Sequence, residues 1–188
     1  MNQSIKNKLS LLIYIFILLF IFAIITSITG NWIWHSNVNR YINKIYKNQM
    51  SIKVDNEFSY KGRDYRIIFS TPKDKEDELY LQCFEEKFYG LIYIPTYGSR
   101  QGESKSLYGM ICHFLNNSAN DRFFIVYGYN KNLKANNFSV RKTGDGKWIT
   151  QDISKQKYFL YIYSKIEYAK IFFKDMYNND LTAIFNGQ

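Results

Sequence analysis

The pattern of apolar and polar positions divides the chain into three stretches with different periods. Residues 11–25 read Leu-Leu-Ile-Tyr-Ile-Phe-Ile-Leu-Leu-Phe-Ile-Phe-Ala-Ile-Ile and carry no charge. An α-helix rises about 1.5 Å per residue, so about 20 apolar residues cover the roughly 30 Å of bilayer hydrocarbon. Residues 9–29 are therefore expected to form a transmembrane helix after a short cytoplasmic tail, residues 1–8. Lys6 and Lys8 give this segment the basic start of a signal peptide, but the apolar run exceeds a secretory h-region. Thr26 to Gly30 offers only a poor cleavage site, so the segment is read as an uncleaved signal-anchor. Trp32 and Trp34 follow at once, where an aromatic belt meets the lipid–water interface.

The period is helical over 37–50, with Val38, Tyr41, Ile42, Ile45, Tyr46 and Met50 apolar and Arg40, Lys44 and Lys47 on another face. Ser36 or Asn37 stands where an N-cap belongs. This predicts a juxtamembrane amphipathic helix within residues 30–50. It either follows the membrane or packs on its own domain.

From residue 51 the period becomes 2. Short β-prone runs recur at 58–60, 65–70, 79–84, 88–94, 107–115, 122–129, 138–142, 147–153, 158–163, 168–174 and 181–185. Residues 61–64 and 143–146 are hairpin signals. Pro72 opens an acidic loop over 74–78, and 95–106 reads as a Gly/Ser-rich loop. Such spacing predicts a mainly β fold, an antiparallel β-sandwich or a relative of it, over residues 51–188. An α+β arrangement with one or two short helices is the alternative, because Leu79, Cys83 and Phe84 also suit a helix over 76–88.

Composition adds little that discriminates. The chain of 188 residues is 19% aromatic and carries a formal +9, enough for one domain with a real core beyond the anchor. A basic domain at a membrane is suited to anionic lipid, an anionic envelope polymer or another membrane protein. Nucleic acid is not expected as a partner, since the run Arg122 to Tyr127 lacks the glycine and aromatic order of an RNA-binding strand motif.

Candidate chemistry is sparse. Cys83 and Cys112 are the only cysteines and form a candidate disulfide pair, with apolar flanks that equally suit two buried thiols. His113 adjoins Cys112, but neighbours on a strand point to opposite faces, which argues against a dyad. No metal-ligand spacing or phosphate-loop motif is present, and no cofactor is expected. Candidate binding residues are Tyr97, Arg100 and Lys105 in the 95–106 loop, then Arg141 and Lys142; basic groups pair with anions and Tyr stacks on sugars. The leading expectation is a single-pass membrane protein that displays a basic, aromatic-rich β domain outside the membrane for binding at the cell envelope. The runner-up is an envelope hydrolase using two of the carboxylates Glu85, Glu86, Glu103 and Asp145. A third reading leaves the domain on the cytosolic side.

Overall fold

The computed structural model describes residues 3–29, 32–100, 106–114 and 122–187. The fold is mainly β with antiparallel sheets and few helices. Helix α1 (Gln3–Thr29) leads into a short strand β1 (Ile33–Trp34), a 3-10 turn (His35–Asn37) and helix α2 (Val38–Tyr46). Ten strands follow: β2 (Met50–Tyr60), β3 (Arg63–Pro72), β4 (Tyr80–Lys87), β5 (Ile92–Arg100), β6 (Tyr108–Phe114), β7 (Arg122–Tyr129), β8 (Asn137–Lys142), β9 (Trp148–Asp152), β10 (Tyr158–Tyr163) and β11 (Ile166–Lys174). Helix α3 (Thr182–Phe185) comes last.

These strands make three sheets, ordered β1-β5-β4-β3-β2, β10-β7-β6 and β11-β8-β9. They stack three deep, with β10-β7-β6 in the middle. Strand β7 shows why: Arg-Phe-Phe-Ile-Val-Tyr-Gly-Tyr is apolar on both faces, as a strand covered on both sides requires. Phe123, Ile125 and Tyr127 point to the five-stranded sheet and meet Tyr65, Ile67, Phe69, Leu81 and Cys83. Phe124 and Val126 point the other way, to Phe138, Val140, Ile171 and Phe173. Aromatic edges lock the first layer: Phe123 lies 5.0 Å from Phe58 and 5.3 Å from Tyr65, both edge-on.

A third cluster covers the outer face of the five-stranded sheet. Val38 and Ile42, one turn apart on α2, are buried against Ile33, Ile68, Phe84 and Tyr93. The amphipathic helix thus packs on its own domain. It ends at Tyr46, because Lys47 turns left-handed (φ 54°) and Met50 already pairs with Pro72. Asn37 makes no side-chain cap bond.

Several strands fall where the period put them, β10 to the residue. Others differ. Residues 76–88 are not helical: the apolar set Leu79, Leu81 and Cys83 keeps a strand period into the core. Residues 95–100 are not loop but the second half of β5, whose bulge at Cys83/Phe84 absorbs Thr96. Residues 88–91 are not strand but the β4–β5 turn. Residues 182–185 are helix, because the Asp180 carboxylate accepts from the Thr182 N–H and Phe185 stacks on Phe173 at 4.0 Å.

Helix α1 is 27 residues long, and its side chains are described over 8–24, where the apolar ones are exposed. Among the described residues no helix is long and apolar enough to cross a membrane, so the transmembrane span expected over residues 9–29 is not shown.

Candidate functional site

The five-stranded sheet has two distinct ends. At one lie the β2–β3 turn (Lys61, Gly62), the β4–β5 turn (88–91) and β1, through which the chain arrives from α1. At the other lie the β3–β4 loop (73–79) and the end of β5, where Arg100 opposes Tyr80.

The end where the chain arrives from α1 carries an aromatic and basic groove of about 640 Å³ between β1 and α2. Trp32 and Trp34 line it from the approach strand; Arg40, Tyr41, Lys44 and Ile45 line it from the helix. The helical period explains the set. Val38 and Ile42 take the sheet-facing stripe, so Arg40 and Lys44, one turn apart, share another. The Trp32 ring meets Phe22 of α1 edge-on at 5.3 Å and Phe88 of the β4–β5 turn at 5.9 Å. It therefore ties the long helix to the sheet. The pairing of tryptophan with cationic side chains beside an apolar helix is the chemistry of a lipid interface.

Behind the groove the outer face of the sheet is polar. Arg66 donates through Nε and Nη2 to both carboxylate oxygens of Asp55, at 2.9 and 2.7 Å. Its guanidinium also lies 5.2 Å from the centre of the Tyr93 ring. The Tyr93 hydroxyl reaches Glu57 Oε1 at 3.4 Å and His35 Nδ1 at 3.2 Å. Desolvation, with Glu57 and Asp64 nearby, raises the Glu86 carboxyl above the ordinary range. Glu57 lies near enough to Glu86 to help raise its carboxyl, and nothing in the period-2 pattern singles Glu57 out. Among the described residues no group of three or more acidic, histidine or cysteine side chains forms a metal site.

The far end holds a cleft of 790 Å³. Lys75, Lys131 and Lys134 line it with Asp77 and Glu78, over a floor of Leu107 and Phe185. Lys75 pairs with Glu78 at 2.9 Å.

The residues singled out from sequence do not converge. Tyr97 is partly exposed on β5, and its carbonyl accepts from Gln82 Nε2 at 2.6 Å. Arg100 ends β5 at the cleft end of the sheet; Lys105, with Glu103, lies outside the described residues. Arg141 and Lys142 sit two sheets away on β8, where Arg141 pairs with Glu167 at 3.4 Å and Lys142 with Asp145 at 3.4 Å. Glu85 is held by Lys87 at 2.6 Å and by Arg63 at 3.6 Å.

Of the two alternatives for the cysteines, the candidate disulfide does not form and both are free thiols, Cys83 buried and Cys112 partly so. Cys83 packs in the layer between the five-stranded and middle sheets, whereas Cys112 packs against the layer on the other side of the middle sheet. Burial pushes the Cys83 thiol up to about 11, which suits an inert core group.

Comparison of the chain with protein-family models, with curated proteins and with solved structures finds no match. The functional reading rests on the groove, the cleft and the helix alone.

Proposed function

We propose that the protein is a single-pass membrane protein of the cell envelope, with α1 as an uncleaved anchor and the β domain outside the membrane as a binding module. The observation that carries this reading is the Phe22–Trp32–Phe88 aromatic chain. It seats the end of an uncharged apolar helix against the sheet end that bears Trp34, Arg40 and Lys44. Residues 9–29 of α1 carry no charge in the sequence, the pattern that supports an apolar anchor. Its apolar side chains are exposed from the domain, as lipid-facing groups are.

The partners are membrane lipid at the anchor end and an anionic envelope polymer or another membrane protein at the far end. The cleft supports the second, because the exposed Lys131 and Lys134 line one open concavity in which Lys75 is already paired with Glu78. The test of membrane attachment is alkaline extraction: the full chain stays with the membrane pellet, whereas release into the supernatant overturns the anchor. The test of the cleft uses the full chain in vesicles and a soluble anionic polysaccharide as probe. Lys131→Ala with Lys134→Ala weakens binding several-fold and flattens its salt dependence, since exposed charges are screened within about 10 Å at 0.1 M salt. Equal binding by that variant removes the cleft from the account.

The Glu57–Glu86 pair favours a second reading, an acid-base hydrolase of envelope polymer, with Glu86, the carboxyl raised by desolvation, in the acid role. Polymer cleavage abolished by Glu86→Gln supports it; cleavage that persists in that variant ends it.

A further inference from the structure

We infer that the β4–β5 turn is an interfacial wedge, with Phe88, Tyr89 and Leu91 seated in the boundary between lipid headgroups and acyl chains beside α1. The inference rests on the reading of α1 as a membrane anchor.

Three observations meet at this turn. The first is exposure. Phe88, Tyr89 and Leu91 are 59%, 103% and 60% exposed, three consecutive large side chains broken only by Gly90. Tyr65, Phe69, Phe84 and Tyr93 are buried in the sheet's two packed layers, whereas this tip leaves its apolar groups largely uncovered.

The second is backbone conformation. Phe88, Tyr89 and Gly90 all take left-handed φ values, 53°, 56° and 79°. That conformation is unfavourable for an L-residue, and glycine or asparagine is the usual occupant. Two aromatic residues in those positions oppose local preference, and residues held in such conformations cluster at functional sites.

The third is depth. Phe88 is tied through Trp32 to Phe22, seven residues before the end of α1 and inside the uncharged run. Seven residues of helix amount to about 10 Å. The turn therefore reaches back alongside the helix rather than standing off from its end. A Tyr at that level has its ring among acyl chains and its hydroxyl among headgroups, the arrangement of an aromatic belt. With a helix and a turn both inserted, the domain is held in one orientation on the membrane, with the lysine-lined cleft facing away.

The test uses the full chain reconstituted in phosphatidylcholine–phosphatidylglycerol vesicles. Tyr89→Cys carries an environment-sensitive fluorophore in a Cys112→Ser background; Cys83 is buried and does not label. Tyr177→Cys, exposed on the β11–α3 connection, is the control. The expected result is a Tyr89 label quenched several-fold more by shallow spin-labelled lipid than by aqueous iodide, with the reverse at position 177. If the protein stays with the vesicles at alkaline pH and iodide reaches both labels equally, the wedge is overturned and the anchor stands. A Tyr89 label shielded from iodide yet insensitive to lipid quencher also overturns it, because protein rather than lipid then covers the turn. Release of the chain from vesicles at alkaline pH overturns both.

Discussion

Two turns at the same end of one sheet differ in almost every respect. The β2–β3 turn is Lys61-Gly62, left-handed at both positions, with a charged residue and a glycine exposed to solvent. It is what a two-residue hairpin between twisted strands requires. The β4–β5 turn has the same backbone hand but fills it with Phe and Tyr. The sheet order separates them: β5 lies next to β1 and so nearest the entry from α1, whereas β2 is the far edge. The turn next to the apolar helix is itself apolar, and the turn remote from it is polar. Position relative to α1, rather than hairpin geometry, accounts for the composition of each.

Both turns hang on one core, and the largest expected effect comes from removing it. Phe123 is fully buried and meets Phe58, Tyr60 and Tyr65 edge-on. Phe123→Ala is expected to cost about 3–5 kcal/mol in denaturant unfolding of the detergent-solubilised chain, and both hairpins unfold with it. A loss under about 1 kcal/mol contradicts the packing of the first two sheets.

A smaller effect separates the turns. A Cβ at Gly90 meets Glu86 Oε1 at 3.2 Å, whereas one at Gly62 meets nothing within 4 Å. Both positions have positive φ, so Gly62→Ala is expected to cost about 1 kcal/mol from backbone strain, and Gly90→Ala more. The same unfolding measurement checks the order, and equal costs contradict the contact.

The smallest effect is electrostatic. Desolvation first, then Glu57 and Asp64, raise the folded-state pKa of Glu86. A carboxyl raised on folding costs stability once ionised. That cost is nil below the unfolded value near 4.5 and complete above the folded one. Glu86→Gln should therefore raise the melting temperature at pH 7 and change it little near pH 4. A variant less stable at pH 7 than the parent would show that the Arg66 and His35 charges outweigh the desolvation.

Much of this fold was legible from period alone. Strands β7 and β10 follow from unbroken β-prone apolar runs, and the hairpins around Gly62 and Gly144 from turn residues that take positive φ. What escaped was set by tertiary context. Phe88 to Leu91 is apolar enough for a strand, because sequence does not distinguish side chains buried in a core from side chains exposed on a turn. Residues 95–100 looked like loop because Pro, Gly and Ser are turn residues, yet a bulge and pairing with β4 keep them in the sheet. Residues 182–185 are apolar enough for a strand, and the Asp180 cap together with the Phe173 stack turned them helical. Of the site, Trp32 and Trp34 fall in the groove, while Tyr97, Arg141 and Lys142 scatter over separate sheets, since charge and type carry no information on which sheet meets which.

The central claim is a β domain displayed outside the membrane by α1, and protease access tests it most directly. Protease added to intact protoplasts expressing the chain with a tag after residue 188 should destroy the tag and leave a membrane-embedded fragment containing α1. A tag protected until the cells are lysed would place the domain on the cytosolic side and contradict the account.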